Sequence, residues 1–120
     1  MDPDAFAGDW EKLEQQTRDG SLFGGGSDEP CFKVVSLCRQ SGLRRFHPFT
    51  SMNRLCFARS RFPFEDLQPA FIEFDRGDRY VVRNGQPYAH KADAPIELET
   101  DDPSSAAAAT CRLLGVDGVA

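Results

Sequence analysis

Phe71-Ile72-Glu73-Phe74-Asp75-Arg76-Gly77-Asp78-Arg79-Tyr80-Val81-Val82-Arg83-Asn84-Gly85 is the stretch on which the fold turns. Two β-rich runs, Phe71 to Phe74 and Arg79 to Arg83, flank Asp75-Arg76-Gly77-Asp78, a cluster of turn formers, so the chain reverses into an antiparallel pair. Asn84-Gly85 is a second hairpin signal and predicts a short strand around Tyr88. Farther on, Ile96-Glu97-Leu98-Glu99 alternates and reads as an edge strand with its charged face exposed. Working toward the N-terminus, Asn53 to Ser60 predicts another strand. Leu55 and Phe57 share one of its faces, with Arg54, Cys56 and Ala58 on the other.

The region before it is read as strands too. Phe32 to Cys38 is rich in β-branched and aromatic residues, and Leu43 to Phe46 follows after a Ser41-Gly42 turn. His47 to Met52 is expected to be a connecting loop, because Pro48 cannot sit inside a central strand. Phe62-Pro63-Phe64 breaks the alternation and is expected to fold its rings over the sheet edge. Ser21 to Pro30, with Gly24-Gly25-Gly26 at its middle, reads as a flexible connection. A phosphate-cradling loop would continue into Gly-Lys-Ser/Thr and a helix, whereas here acids and an expected strand follow.

Helices are expected at both ends. Asp2-Pro3 is a start signal, with Asp9 as the alternative cap; Phe6, Trp10 and Leu13 follow at helical spacing, and Gly20 ends the run. Trp10 should anchor this helix on the sheet, with Glu11, Glu14, Gln15 and Arg18 facing water. Asp102-Pro103 opens a second helix through Ala106 to Ala109, with Thr110, Leu113 and Leu114 inward and Gly115 closing it. The fold class is therefore α+β, an antiparallel meander of about five or six strands flanked by an N-terminal and a C-terminal helix. Residues 1–120 are expected to form one domain.

The composition suits a packed interior: 40% of residues are hydrophobic, ten are Phe, and 28% are charged. The acidic start lacks the basic and apolar pattern of a secretory signal, so a cytoplasmic location with reduced cysteines is expected. No run approaches the roughly 18 apolar residues of a membrane span.

Charge is segregated along the chain. Residues 1–30 hold eight acids against Lys12 and Arg18, and residues 65–120 hold eleven acids against five bases. Between them, residues 31–64 carry Lys33, Arg39, Arg44, Arg45, Arg54, Arg59 and Arg61 with no Asp or Glu. Such a block either presents an anion-binding face, with Arg supplying forked donors, or is neutralised by the acidic helices packed beside it.

Candidate chemistry is sparse. Cys31, Cys38, Cys56, Cys111, His47 and His90 are suitable zinc ligand types, but no Cys-x-x-Cys pair occurs, so no metal and no cofactor are expected. Cys56 with His47 or His90 is the minimum set for a thiol nucleophile, though no local signature surrounds any Cys. Glu65-Asp66, Asp75 with Asp78, and Asp101-Asp102 are carboxylate pairs that turns and caps explain more cheaply. Aromatics interleaved with Arg can stack nucleobases, but a pI of about 4.9 argues against nucleic acid as the partner.

The run from Pro48 to Phe64, with Leu55-Cys56-Phe57-Ala58 and Phe62-Pro63-Phe64, followed by Tyr80-Val81-Val82, resembles a family of small bacterial proteins of unknown function labelled natural-product biosynthesis proteins. The resemblance spans residues 47–115, with Ala58 where that family's pattern has Ser. It implies a biosynthetic context and carries over no active site.

The functional expectation is a non-enzymatic accessory or immunity-type module that recognises a protein or peptide through a basic, aromatic strand face. Arg44, Arg45, Arg54, Arg59, Arg61, Phe62 and Phe64 are the expected contacts. The alternative is a small tailoring enzyme that binds an anionic substrate and uses Cys56 and His47.

Overall fold

The computed structural model describes residues 4–19, 29–51, 53–61, 66–74, 79–87 and 94–118. Its elements are α1 (Ala7–Asp19), α2 (Glu29–Arg39), a 3-10 turn (Gly42–Arg45), β1 (His47–Ser51), β2 (Arg54–Ala58), β3 (Leu67–Phe74), β4 (Tyr80–Arg83), β5 (Ile96–Thr100) and α3 (Pro103–Leu114). The strands form one antiparallel sheet in sequence order, so the fold is α+β with a five-stranded meander and helices near both ends.

Two expected strands are not strands. Phe32 to Cys38 lies in α2, and Leu43 to Phe46 lies in and just after the 3-10 turn. The buried residues of α2 are Cys31, Val34, Val35 and Cys38, the spacing of one helical face, with Pro30 in the first turn. Its β-branched residues give way to that periodicity because the whole apolar stripe can be buried at once. Ser41 caps the 3-10 turn by accepting from the Leu43 N–H at 3.1 Å. Conversely, His47 to Ser51 is a strand and not a loop. Pro48 is compatible with it because β1 is an edge strand, where a missing N–H need not break the ladder.

The main core lies between the helices and one sheet face. Leu55 and Phe57 from β2, Ile72 from β3, and Tyr80 and Val82 from β4 meet Phe6, Trp10, Val34, Val35, Ala106 and Ala107 there. Trp10 anchors α1 as expected: its indole Nε1–H donates to the Phe46 carbonyl at 3.0 Å, and its ring lies 6.3 Å from that of Phe57. The Tyr80 hydroxyl donates to the Pro30 carbonyl at 2.6 Å, fixing the start of α2 over β4. Asp102 caps α3, and Gly115 ends it in the left-handed region at φ 68°. The chain after α3 returns to the 3-10 turn, where the Gly42 N–H donates to the Asp117 carbonyl at 2.7 Å. A Cβ on Gly42 would lie 2.8 Å from the Asp117 nitrogen, so only glycine permits that approach.

The opposite sheet face also excludes water: Cys56, Ala58, Phe71 and Val81 are buried. Arg54, Glu73 and Arg83 cross it as a charged row. The Arg54 guanidinium donates to the Pro87 carbonyl at 2.9 Å, and that of Arg83 to the Ala94 carbonyl at 2.7 Å, tying the described ends of the β4–β5 connection to this face. β5 is the second edge strand, with Glu97 and Glu99 exposed, as its alternation predicts. The turn at Asp75 to Asp78, the strand expected around Tyr88, the N-terminal Asp2-Pro3 signal, and Ser21 to Asp28 lie outside the described residues, and Glu29 and Pro30 belong to α2.

Candidate functional site

The cations of the basic block fall into two groups. Arg54 is committed to the sheet: its Nε lies 3.6 Å from a Glu73 oxygen and its guanidinium 5.3 Å from the centre of the Phe71 ring. Arg61 donates to Asp9 of α1 at 3.0 Å and covers the Phe6 ring at 5.4 Å. Arg44 lies 3.6 Å from the Asp4 carboxylate, Arg39 donates to Glu14 at 3.2 Å, and Lys33 pairs with Glu29 one turn earlier in α2. Glu14, expected to face water, is instead held between Arg39 and Arg18 with only 16% of its side chain exposed.

Arg45 and Arg59 differ. Both are exposed, and neither side chain makes an ion pair or hydrogen bond with the described residues. Arg45 ends the 3-10 turn, and Arg59 leaves the end of β2, where its backbone N–H donates to the Asp66 carbonyl at 3.2 Å. Phe62 and Phe64 lie outside the described residues.

Beside this end, α1 and edge strand β1 enclose an open groove of about 260 Å3. Asp9, Lys12 and Gln16 contribute its helical wall, and His47, Phe49 and Thr50 its strand wall. The helical spacing of Asp9, Lys12 and Gln16 marks them as one face in the sequence, but nothing there says that β1 faces them. His47 is mostly buried and sits between the rings of Phe6, at 5.6 Å, and Phe49, at 6.3 Å. Its Nδ1 lies 3.9 Å from Asp9. Burial pushes the imidazole below its ordinary pKa of 6.5; Asp9 pulls it upward less strongly, and Arg61 adds to the depression. His47 is therefore neutral at pH 7, and the negative charge of Asp9 is left to Arg61.

The thiols are not poised for chemistry. Cys56 is fully buried, and burial pushes it up to about 12, with Arg54 lowering it only partly. Cys38 and Cys111, packed in the helical layer, are raised for the same primary reason. Among the described residues no three His, Cys, Asp or Glu side chains are grouped to hold a metal ion. No described helix is long and apolar enough to cross a membrane. What the arrangement offers is an open, mixed polar and aromatic groove between α1 and the edge strand β1. No family model, curated protein or solved structure matches the chain.

Proposed function

We propose that the chain is a non-enzymatic binding module that recognises a protein or peptide partner at the basic end of the α1–β1 seam. The observation that supports this reading is the division of labour among the arginines. Arg54 and Arg61 are held by acids of the same molecule, whereas Arg45 and Arg59 stand exposed without an ion pair among the described residues. Exposed cations on an otherwise acidic chain steer an acidic partner toward one orientation. Asp4 and Asp9 neutralise Arg44 and Arg61 only at the surface, where such pairs contribute about 0–1 kcal/mol, so both can exchange partners on binding. The tailoring-enzyme alternative needs a Cys56 thiolate, which burial opposes.

The test is charge reversal at the two uncommitted positions. The double variant Arg45→Glu, Arg59→Glu should melt at the wild-type temperature and lose capture of the partner isolated from the native host with the wild-type chain. Capture undiminished by the double reversal would end this reading.

A further inference from the structure

On the flank of α1 away from β1, the first turns of α1 meet the end of α2 and the 3-10 turn around a cavity of about 190 Å3. Asp4, Ala7, Trp10, Arg39 and Arg44 line it. We propose that this cavity is a binding site for a small oxyanion, a carboxylate or phosphate group, held between Arg39 and Arg44. The site does not depend on the partner reading above.

Two guanidinium groups carried by different elements converge on the cavity, and neither is saturated by its partner. Arg44 faces Asp4 at 3.6 Å, longer than a hydrogen bond, and 45% of its side chain is exposed. Arg39 gives one of its five N–H donors to Glu14, at 3.2 Å, and Glu14 is shared with Arg18 at 3.7 Å. Among the described residues, Glu14 is thus divided between Arg39 and Arg18, so Arg39 does not have a carboxylate to itself. Paired forks of this kind recognise planar carboxylates and phosphates through parallel donors.

Asp4 indicates the chemistry of the ligand. Its carboxylate lines the cavity and faces Arg44 at 3.6 Å with 71% of the side chain exposed, so its attraction to that guanidinium is screened by solvent and a second oxyanion can compete for it. Ala7 and Trp10 supply an apolar wall that limits water around the incoming charge and strengthens its attraction to the arginines. The size sets the class: sites for drug-sized ligands run from about 300 Å3 upward, so this one suits a small anion and not a nucleotide or a larger cofactor.

Trp10 is the single tryptophan of the chain and therefore reports on the cavity directly. The isolated chain is titrated with sodium phosphate and, in parallel, with sodium acetate, at ionic strength held constant with sodium chloride. Trp10 fluorescence and the resonance of its indole N–H are both followed. A saturable change is expected with at least one of the two anions, and the tighter arm tells phosphate from carboxylate. Arg44→Gln should weaken that binding about tenfold, as loss of a charged hydrogen-bond donor does. Asp4→Asn should tighten it about threefold by removing the competing carboxylate. Both variants should melt with the wild type, and Arg44→Lys should restore part of the affinity. A linear response to both anions, or Arg44→Gln and Asp4→Asn curves that superimpose on the wild type, would overturn the proposal. Because no partner is present, this failure is separate from failure of partner capture.

Discussion

Cys56 sits beside Arg54 on β2, and a neighbouring guanidinium ordinarily favours a thiolate. Here the guanidinium is drawn toward Glu73 and the ring of Phe71, while the thiol is sealed between strands, so desolvation outweighs attraction and the pKa rises from 9.0 to about 12. At pH 8 the thiolate fraction is then roughly one in ten thousand, far below that of an activated nucleophile. His47 does not change this. Its contacts are with Phe6, Phe49 and Asp9, and its proton is lost early because it is buried. Disulfide-exchange labelling of the native chain at pH 8 should therefore proceed slowly, and the unfolded chain should release all four thiols at once. One rapidly labelled cysteine in the native chain, identified as Cys56 by mass spectrometry, would revive the enzymatic alternative.

At the scale of elements, α3 shows how a short signal fixes a boundary. The Asp102 carboxylate accepts from the Ser104 and Ser105 backbone N–H groups at 3.2 and 3.3 Å and from the Ser105 hydroxyl at 2.7 Å. The hydroxyl bond is the main reason its pKa falls below 3.8, and the two backbone bonds act in the same direction. A folded-state pKa below the unfolded one means that the ionised cap stabilises above about pH 3.8, and that this contribution fades as pH falls through the lowered value. Asp102→Ala should thus lower the melting temperature at pH 7, and the gap from wild type should close in acid; a gap that is constant down to pH 2 would show that the charge plays no part. This boundary was legible from Asp102-Pro103 and Gly115, because caps act within one turn. Strand β5 is legible from its alternation, and β2 and β4, buried on both faces, are legible from their runs of β-branched and aromatic residues between turn signals. α2 has the composition of a strand in Phe32, Val34 and Val35 but the period of a helix, and the period decides. Cys31, Val34, Val35 and Cys38 already stand at helical intervals, and they are the buried set. β1 is not legible locally for a different reason: whether Pro48 is tolerated depends on a strand lying at an edge, which is a property of the whole sheet.

Across the whole molecule, the separation of charge along the sequence becomes proximity in space. α1 lays Asp9 and Glu14 against Arg61 and Arg39, while the meander puts Glu73 of β3 between Arg54 of β2 and Arg83 of β4. A run of bases without acids therefore records which elements will be neighbours as much as it records a binding face. Those two uses are distinguishable by how far each pair is withdrawn from water. The side chains of Arg54, Glu73 and Arg83 are 25%, 17% and 18% exposed, and Glu73 is the shared partner of both arginines. Glu73→Gln would leave two guanidinium groups facing each other on a largely dry surface and should cost about 3 kcal/mol in chemical denaturation. Arg61, with 62% of its side chain exposed, is screened by solvent, so Arg61→Gln should cost less than about 1 kcal/mol. The contrast should persist in high salt, because screening reaches the exposed pair and not the enclosed one. Equal costs for the two substitutions would mean that the enclosed row is no more structural than the rim, and that Arg54 belongs with the arginines available to a partner.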